Sequence, residues 1–177
     1  MANVLEQLSG LIGDADARHM SAVWYEGGED ALRELIGDKR YKCAVEIGTF
    51  NAVSTCIIAE YADTVYTFDV ERAKHTERVL AWAAENGRDI DSTVAPDDEC
   101  FKAYALACED VDLVFVDGDH WGDRPTRDVK AAMPCPRILV HDATDHFPDV
   151  QIAIQYAEAN GYTVKRKNEF ALLERAE

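Results

Sequence analysis

Carboxylates and histidines come directly after two apolar runs of this sequence. Residues 117–120 (DGDH) follow the run VDLVFV, and His141 and Asp142 follow RILV. An unpaired carboxylate at the end of a buried strand is costly, so we expect something cationic to face Asp117 and Asp142. Acids in these positions suit a cationic ligand, or one with ribose hydroxyls, and would repel a polyphosphate.

Further acids end the apolar runs nearer the N-terminus. Glu46 lies near the end of YKCAVEI, Asp69 follows TVYTF, and Asp97 comes shortly after IDSTV. Asp69 stands where a carboxylate that accepts both ribose hydroxyls is expected, although it could instead cap the helix that follows. The loop after Glu46 contains neither GxGxxG nor GxxxxGK[ST], which disfavours a nicotinamide-dependent oxidoreductase and an ATP-binding protein.

Apolar runs and stretches of helical period alternate along the chain, and these elements must position the acids. The pattern predicts a doubly wound, mostly parallel seven-stranded sheet with helices on both faces and a C-terminal antiparallel hairpin. Ligands of such a sheet bind at the carboxyl ends of its strands, so the acids should gather on one rim. The predicted strands are 41–47, 64–68, 90–94, 111–116, 137–140, 162–166 and 169–173, and the predicted helices between them are 52–61, 71–86, 98–108, 122–133 and 149–160.

Length and charge narrow the class of protein. The 177 residues suggest one domain, with an N-terminal helical segment over 1–40 that could form a lid and an α/β core over 41–177. With 18 Lys+Arg against 34 Asp+Glu, the net charge of −16 argues against a nucleic-acid partner. No apolar run approaches the roughly 20 residues of a membrane helix, and we expect no membrane partner.

The five cysteines favour neither a disulfide framework nor a zinc ribbon, because their number is odd and no CxxC pair occurs. We expect buried thiols in a reducing cytoplasm, with Cys135 as the most exposed of them. The start of the chain does not have the pattern of a signal peptide.

Three segments together resemble the class I S-adenosylmethionine-dependent methyltransferases: VEIGTFNAVST, the acid after TVYTF, and VDLVFVDGDH with RILVHDAT. They are most similar to the small-molecule O-methyltransferase branch, which includes catechol-type and metal-dependent sugar- and antibiotic-tailoring enzymes. The resemblance covers residue 41 to about residue 144 and the closing hairpin. It implies a Rossmann-like methyltransferase fold, S-adenosylmethionine as cofactor and a hydroxyl of a small molecule as methyl acceptor.

The resemblance also implies where the cofactor binds. Glu46 and Gly48 match the turn under the methionine part, and Ser54 matches a serine that contacts its carboxylate. Asp69 matches the ribose-binding acid, and Asp97 falls near the adenine contact. The complete implied cofactor set is Glu46, Gly48, Phe50, Ser54, Asp69, Asp97 and Asp117.

Catalytic and metal-binding roles follow from the same resemblance. His120 falls where catechol-type enzymes place a lysine general base. It could instead cap the helix that starts near Gly122, or pair with Asp119 or Asp123. Asp117, His141 and Asp142 match positions that can hold Mg²⁺ or another divalent cation, and one oxygen ligand of the family is either missing here or replaced by the His141 imidazole. The implied catalytic set is Asp117, His120 and His141. His141 could instead be a hydrogen-bonded histidine at a strand end.

Two alanines depart from the family pattern. Ala52 replaces a glycine, so we expect the loop after Gly48 to run differently. Ala143 replaces a polar residue after the fifth strand. Both departures fit an alternative function, a non-catalytic module that binds S-adenosylmethionine or S-adenosylhomocysteine. The oligomeric state cannot be predicted from these features.

Overall fold

The computed structural model describes residues 3–18, 21–23, 25–95 and 110–176. Its strands are β1 (Tyr41–Ile47), β2 (Ala62–Asp69), β3 (Ile90–Val94), β4 (Val111–Val116), β5 (Arg137–Val140), β6 (Tyr162–Lys167) and β7 (Phe170–Arg175). They form a seven-stranded sheet in the order β3-β2-β1-β4-β5-β7-β6. The first five strands pair in parallel, and β7 runs antiparallel to both β5 and β6. The predicted fold class is therefore confirmed.

The helices of the described residues are α1 (Val4–Ile12), α2 (Asp14–Arg18), α3 (Gly28–Ile36), α4 (Val53–Ile58), α5 (Thr76–Glu85), α6 (Arg124–Ala132) and α7 (Pro148–Ala159). The helix predicted over 71–86 begins only at Thr76, after a turn. Asp69 is therefore not its N-cap. The helix predicted over 98–108 lies outside the described residues.

Two hydrophobic cores lie on opposite faces of the sheet. Successive residues of β4 alternate between them, with Leu113 and Phe115 in one core and Val114 and Val116 in the other. Helices α1, α3, α4 and α5 contribute to the first core, and α6 and α7 to the second. A near-continuous apolar strand such as β4 is typical of a sheet that is covered on both faces.

A buried carboxylate, that of Glu29 in α3, connects two of the N-terminal helices. Glu29, which is only 3% exposed, accepts hydrogen bonds from the backbone N–H groups of Val4 and Leu5 at 3.1 and 3.0 Å. Arg33 forms an ion pair with Glu29 at 2.6 Å. These contacts anchor α1 on α3. The predicted role of residues 1–40 as a lid stays a prediction.

Two side chains lie in surroundings that the sequence did not suggest. Cys135 was expected to be exposed but is 5% exposed, because it packs in the second hydrophobic core, where its Sγ donates a hydrogen bond to the Arg137 carbonyl at 3.1 Å. The His75 imidazole lies 2.7 Å from Asp16 in α2 and is 14% exposed.

Within the described part of the chain, no helix has both the length and the apolar character needed to cross a membrane.

Candidate functional site

Register places the candidate residues on one rim of the sheet. Ile47 pairs with Phe68 and with Val116, and Val116 pairs with Val140. The residues that follow these strand ends therefore lie side by side above the crossover between β1 and β4, where open α/β sheets bind ligands. A cavity of about 810 Å³ opens there, lined by Ser21, Ile47, Gly48, Phe50, Phe68, Asp69, Val70, Ala95, Asp117, Gly118, Asp119, His120, Arg124, Asp128, His141, Asp142, His146, Phe147 and Glu169.

Gly48 forms the floor of the cavity where the loops after β1 and β4 touch. Its φ is +93°, and a Cβ at this position would lie 2.0 Å from the carbonyl oxygen of Asp117. The Asp117 N–H donates a hydrogen bond to the Ile47 carbonyl at 2.9 Å and joins the two segments, while the Gly48 N–H donates one to the Phe68 carbonyl of β2 at 2.8 Å. Only glycine fits this approach.

The loop between Gly48 and α4 contains two non-glycine residues in the left-handed region. Phe50 has φ +42° and Ala52 has φ +62°. Ala52 itself takes the conformation that favours glycine, and the expectation that this loop runs differently from that of the family stays a prediction. The Ala52 methyl group is completely buried in the core, which offsets part of the conformational cost.

Asp69 lies at the other end of the cavity with its carboxylate fixed by the backbone. Oδ2 accepts a hydrogen bond from the Phe50 N–H at 2.7 Å, and Oδ1 accepts one from the Val70 N–H at 2.7 Å. A carboxylate held by two amides keeps one orientation, with lone pairs free for hydroxyl donors. This geometry suits recognition of a diol.

Glu46 and Ser54 do not line the cavity. The Ser54 and Thr67 hydroxyls each donate a hydrogen bond to the Glu46 carboxylate at 2.7 Å, and Thr55 donates a third. Glu46 is fully buried and Ser54 is 5% exposed. Their side chains therefore join β1 to β2 and α4, and the predicted contacts of both with a cofactor stay predictions.

Burial raises the pKa of Glu46 to about 7, although the three hydroxyl donors oppose this shift. Because the folded pKa lies above the ordinary value of 4.5, the folded state is disfavoured as the carboxyl ionises. We expect the stability lost between pH 5 and pH 8 to be about 2–3 kcal/mol smaller in Glu46→Gln than in the wild type. Urea unfolding of both proteins at the two pH values measures it. Equal losses in the two proteins would show that Glu46 ionises as easily in the folded chain as in the unfolded one.

Two histidines and three carboxylates meet at the acidic end of the cavity. His141 Nδ1 lies 2.7 Å and His120 Nε2 3.5 Å from Asp117 Oδ1. His120 Nδ1 lies 2.9 Å from Asp142 Oδ2. His141 Nε2 lies 3.6 Å from Asp142 Oδ1 and 3.8 Å from Glu169 Oε2. We call these five residues the His–carboxylate cluster. The cationic partners expected for Asp117 and Asp142 are the two imidazoles.

Protonation in the cluster follows from these contacts. Burial disfavours the charged form of His120, yet the nearby carboxylates of Asp117 and Asp142 raise its pKa to about 10. Burial opposes a charge on His141 as well, but the attraction of Asp117 raises its pKa. Burial would raise the pKa of Asp117, whereas the two histidines lower it below its ordinary value. Burial raises the pKa of Glu169.

Glu169 belongs to the cluster but could not be predicted from the carboxyl ends of the parallel strands. It immediately precedes β7, which runs antiparallel to β5. The amino end of an antiparallel strand lies on the same rim as the carboxyl ends of its parallel neighbours. The Ala143 N–H donates a hydrogen bond to the Glu169 carbonyl at 2.8 Å and fixes this position.

The structure thus brings most of the predicted residues together around one cavity. Gly48, Phe50, Asp69 and Asp117 line it, as do His120, His141 and Asp142. Asp97 lies outside the described residues.

An aromatic mouth, defined here as Trp121, His146 and Phe147, adjoins the His–carboxylate cluster. Its Trp121 is 60% exposed, with its ring centroid 5.7 Å from that of Phe147.

Residues 45–143, more than half of the chain, match the family described as "Methyltransferase domain". No curated protein matches the sequence.

Several solved structures share the fold. An O-methyltransferase from Bacillus cereus in complex with SAH has 18% identity and a TM-score of 0.69, covering 97% of this chain and 90% of that one. Cofactor-bound Rv0187 from MTB has 20% identity and a TM-score of 0.65, covering 96% and 94%. The N-methyltransferase NodS from Bradyrhizobium japonicum, in complex with S-adenosyl-l-homocysteine, has 13% identity and a TM-score of 0.63, covering 99% and 100%. At these identities the likeness is one of fold, and the named acceptor atoms differ.

Proposed function

This chain belongs to the methyltransferase domain family, and we propose that it transfers a methyl group from S-adenosylmethionine to a hydroxyl of a small molecule. The observation that carries the proposal is the single cavity with a backbone-fixed carboxylate, Asp69, at one end and the His–carboxylate cluster at the other. A volume of about 810 Å³ falls within the range of small-molecule sites.

The described residues fit the cofactor. Asp69 would accept hydrogen bonds from the two ribose hydroxyls, because its carboxylate is held facing the cavity by the Phe50 and Val70 amides. The bare backbone of Gly48 lets the ligand lie close to the cavity floor. The acids of the lining suit a positively charged sulfonium group, whose methyl is already activated for transfer. The protein then has mainly to align the acceptor with that methyl.

His120 is positioned to take the proton that an acceptor hydroxyl must lose. Its Nδ1 bonds to Asp142, and its buried Nε2 has no hydrogen-bond partner. Only the neutral imidazole accepts a proton. A positive charge brought into the cavity lowers the pKa of an imidazolium beside it, so a cationic ligand favours the form of His120 that acts as base.

The aromatic mouth would hold the acceptor. Phe147 packs against His120 with 5.2 Å between ring centroids, and Trp121 extends the apolar surface outward. Flat apolar walls beside a base suit a small hydroxylated compound with an apolar or aromatic body.

A divalent cation would also fit the cluster. His141 Nε2 is buried without a hydrogen-bond partner and faces two carboxylates. Such an ion lowers the pKa of a hydroxyl that it binds. The sequence-based expectation of Mg²⁺ on Asp117, His141 and Asp142 stays a prediction.

Replacing Asp69 tests cofactor binding directly. We expect Asp69→Asn to weaken the binding of S-adenosylmethionine by about 10- to 100-fold, because charge-assisted hydrogen bonds contribute roughly 1.5–3 kcal/mol. Isothermal titration calorimetry measures the dissociation constant. Asp63→Asn, at the other end of the same strand, is the control and should leave it unchanged. If Asp69→Asn binds as tightly as the wild type, Asp69 does not hold the ribose.

A turnover assay distinguishes the proposed methyltransferase from the alternative, a non-catalytic module that only binds the cofactor. Transfer of a labelled methyl group should be followed with a panel of catechols, sugars and phenols. Cofactor binding without transfer to any of them would favour the module.

A further inference from the structure

One ring nitrogen of His141 is hydrogen-bonded to a carboxylate, and the other makes no hydrogen bond. A carboxylate only accepts hydrogen bonds, so the 2.7 Å contact with Asp117 Oδ1 places the proton on Nδ1. A metal ion that replaces the proton on Nε2 of the cationic ring would bind the lone pair of that atom. That atom is buried without a hydrogen-bond partner, in a side chain that is only 7% exposed. A buried nitrogen of this kind points to a missing ligand.

Two carboxylate oxygens surround this nitrogen at distances that an ion could bridge. Asp142 Oδ1 lies 3.6 Å and Glu169 Oε2 3.8 Å from His141 Nε2. All three donor atoms lie within 4.8 Å of one another. Neighbouring donors that each lie about 2.1 Å from one ion are about 3.0–3.4 Å apart, so the three side chains would have to draw slightly closer together to bind it.

We propose that His141, Asp142 and Glu169 bind a divalent first-row transition metal in preference to Mg²⁺, with Asp117 orienting His141 from outside the ligand set. A carboxylate that receives the second N–H of a ligating imidazole fixes the ring and raises its basicity. The ion would lie in the cavity of the proposed function and deepens it. The ligand set differs from the one that the sequence implied, because Glu169 enters and Asp117 leaves.

The imidazole is what selects the metal. Mg²⁺ prefers oxygen donors and keeps several waters, whereas imidazole suits the transition metals. One nitrogen with two carboxylate oxygens therefore favours an ion such as Mn²⁺ over Mg²⁺.

A second arrangement in the same cluster uses Asp117, His120 and His141. It is disfavoured, because Asp117 Oδ1 is already bonded to His141 Nδ1, and His120 Nδ1 lies at hydrogen-bond distance from Asp142. It would supply two imidazole nitrogens, so the two arrangements can be distinguished by counting coordinated nitrogens.

The test measures metal binding to the full chain without cofactor. Calorimetry with MnCl₂ and MgCl₂ should give at least about tenfold tighter binding of Mn²⁺. Pulsed electron paramagnetic resonance of bound Mn²⁺ should detect one coordinated imidazole nitrogen. Glu169→Ala should weaken Mn²⁺ binding at least about tenfold, and Asp117→Asn about 10- to 100-fold with the nitrogen signal kept. Asp145→Ala, in the exposed loop after β5, is the matched control and should bind normally.

Three results would overturn the proposal: Mg²⁺ binding within tenfold of Mn²⁺, unchanged affinity in Glu169→Ala, or two coordinated nitrogens. Glu169→Gln keeps the side-chain shape and replaces the alanine variant if that fails to fold. S-adenosylmethionine binding is measured on the same preparation. If the metal measurements fail while S-adenosylmethionine still binds, only this inference is rejected. If the metal binds as expected and S-adenosylmethionine does not, only the proposed function is rejected.

Discussion

Gly48→Ala should destabilise the protein by roughly 3–5 kcal/mol, which is a severe effect for one methyl group. Two costs add at this position. The φ of +93° disfavours any L side chain, and the new Cβ would lie 2.0 Å from the Asp117 carbonyl oxygen. That oxygen belongs to backbone that also pairs with β1, so it cannot move without separating the two loops.

Gly161 provides a matched control. Its φ is +91°, nearly that of Gly48, but a Cβ there would meet nothing within 4 Å. Gly161→Ala should therefore show only the conformational cost of about 1–2 kcal/mol. Urea unfolding of both variants isolates the clash as the difference between them. If the two variants lose equal stability, the close approach of the loops is not what demands glycine.

His120→Ala should lower kcat by about 10²- to 10⁴-fold with any hydroxylated acceptor that the protein methylates, since this is the usual contribution of a general base. Its imidazole is the one that bonds to Asp142 and lines the cavity beside the aromatic mouth. The dissociation constant of S-adenosylmethionine should change little, because Asp69, the proposed ribose ligand, lies at the other end of the cavity. Initial rates and calorimetry together separate the two effects.

His75→Ala is the control for that variant. His75 also bonds to a carboxylate, Asp16, but it does not line the cavity. Its kcat should stay close to that of the wild type. A His120→Ala variant with unchanged kcat would remove His120 from the mechanism and leave proton removal to another group.

Much of the fold could be predicted because hydrophobic period is a local property of the sequence. The run VDLVFV predicted β4 at the correct bounds, and RILV predicted β5. The ends of an element could not be predicted where contacts with distant parts of the chain determine them. The helix expected from residue 71 starts at Thr76, whose hydroxyl donates a hydrogen bond to the Phe50 carbonyl in a distant loop. No pattern within 71–86 encodes that contact.

The candidate site was predictable to the extent that it follows from parallel strand ends. Asp69, Asp117, His141 and Asp142 all come from that rule. The rule does not predict which side chains bond to one another. Glu46 and Ser54 form a hydrogen bond instead of lining the cavity, because a buried carboxylate accepts hydrogen bonds from the nearest hydroxyl groups. Glu169 was missed because its place depends on the antiparallel return of β7.

Apart from Ser21, the residues that line the cavity lie in two groups of segments that are distant in the chain, one at or after the ends of β1, β2 and β3 and the other after β4, β5 and β6. Trp121, His146 and Phe147 belong entirely to the second group. A randomised library over these three positions could therefore redirect the choice of acceptor while the nucleoside end keeps its native sequence. The same division would let two related chains exchange their C-terminal halves as a way of exchanging substrate preference.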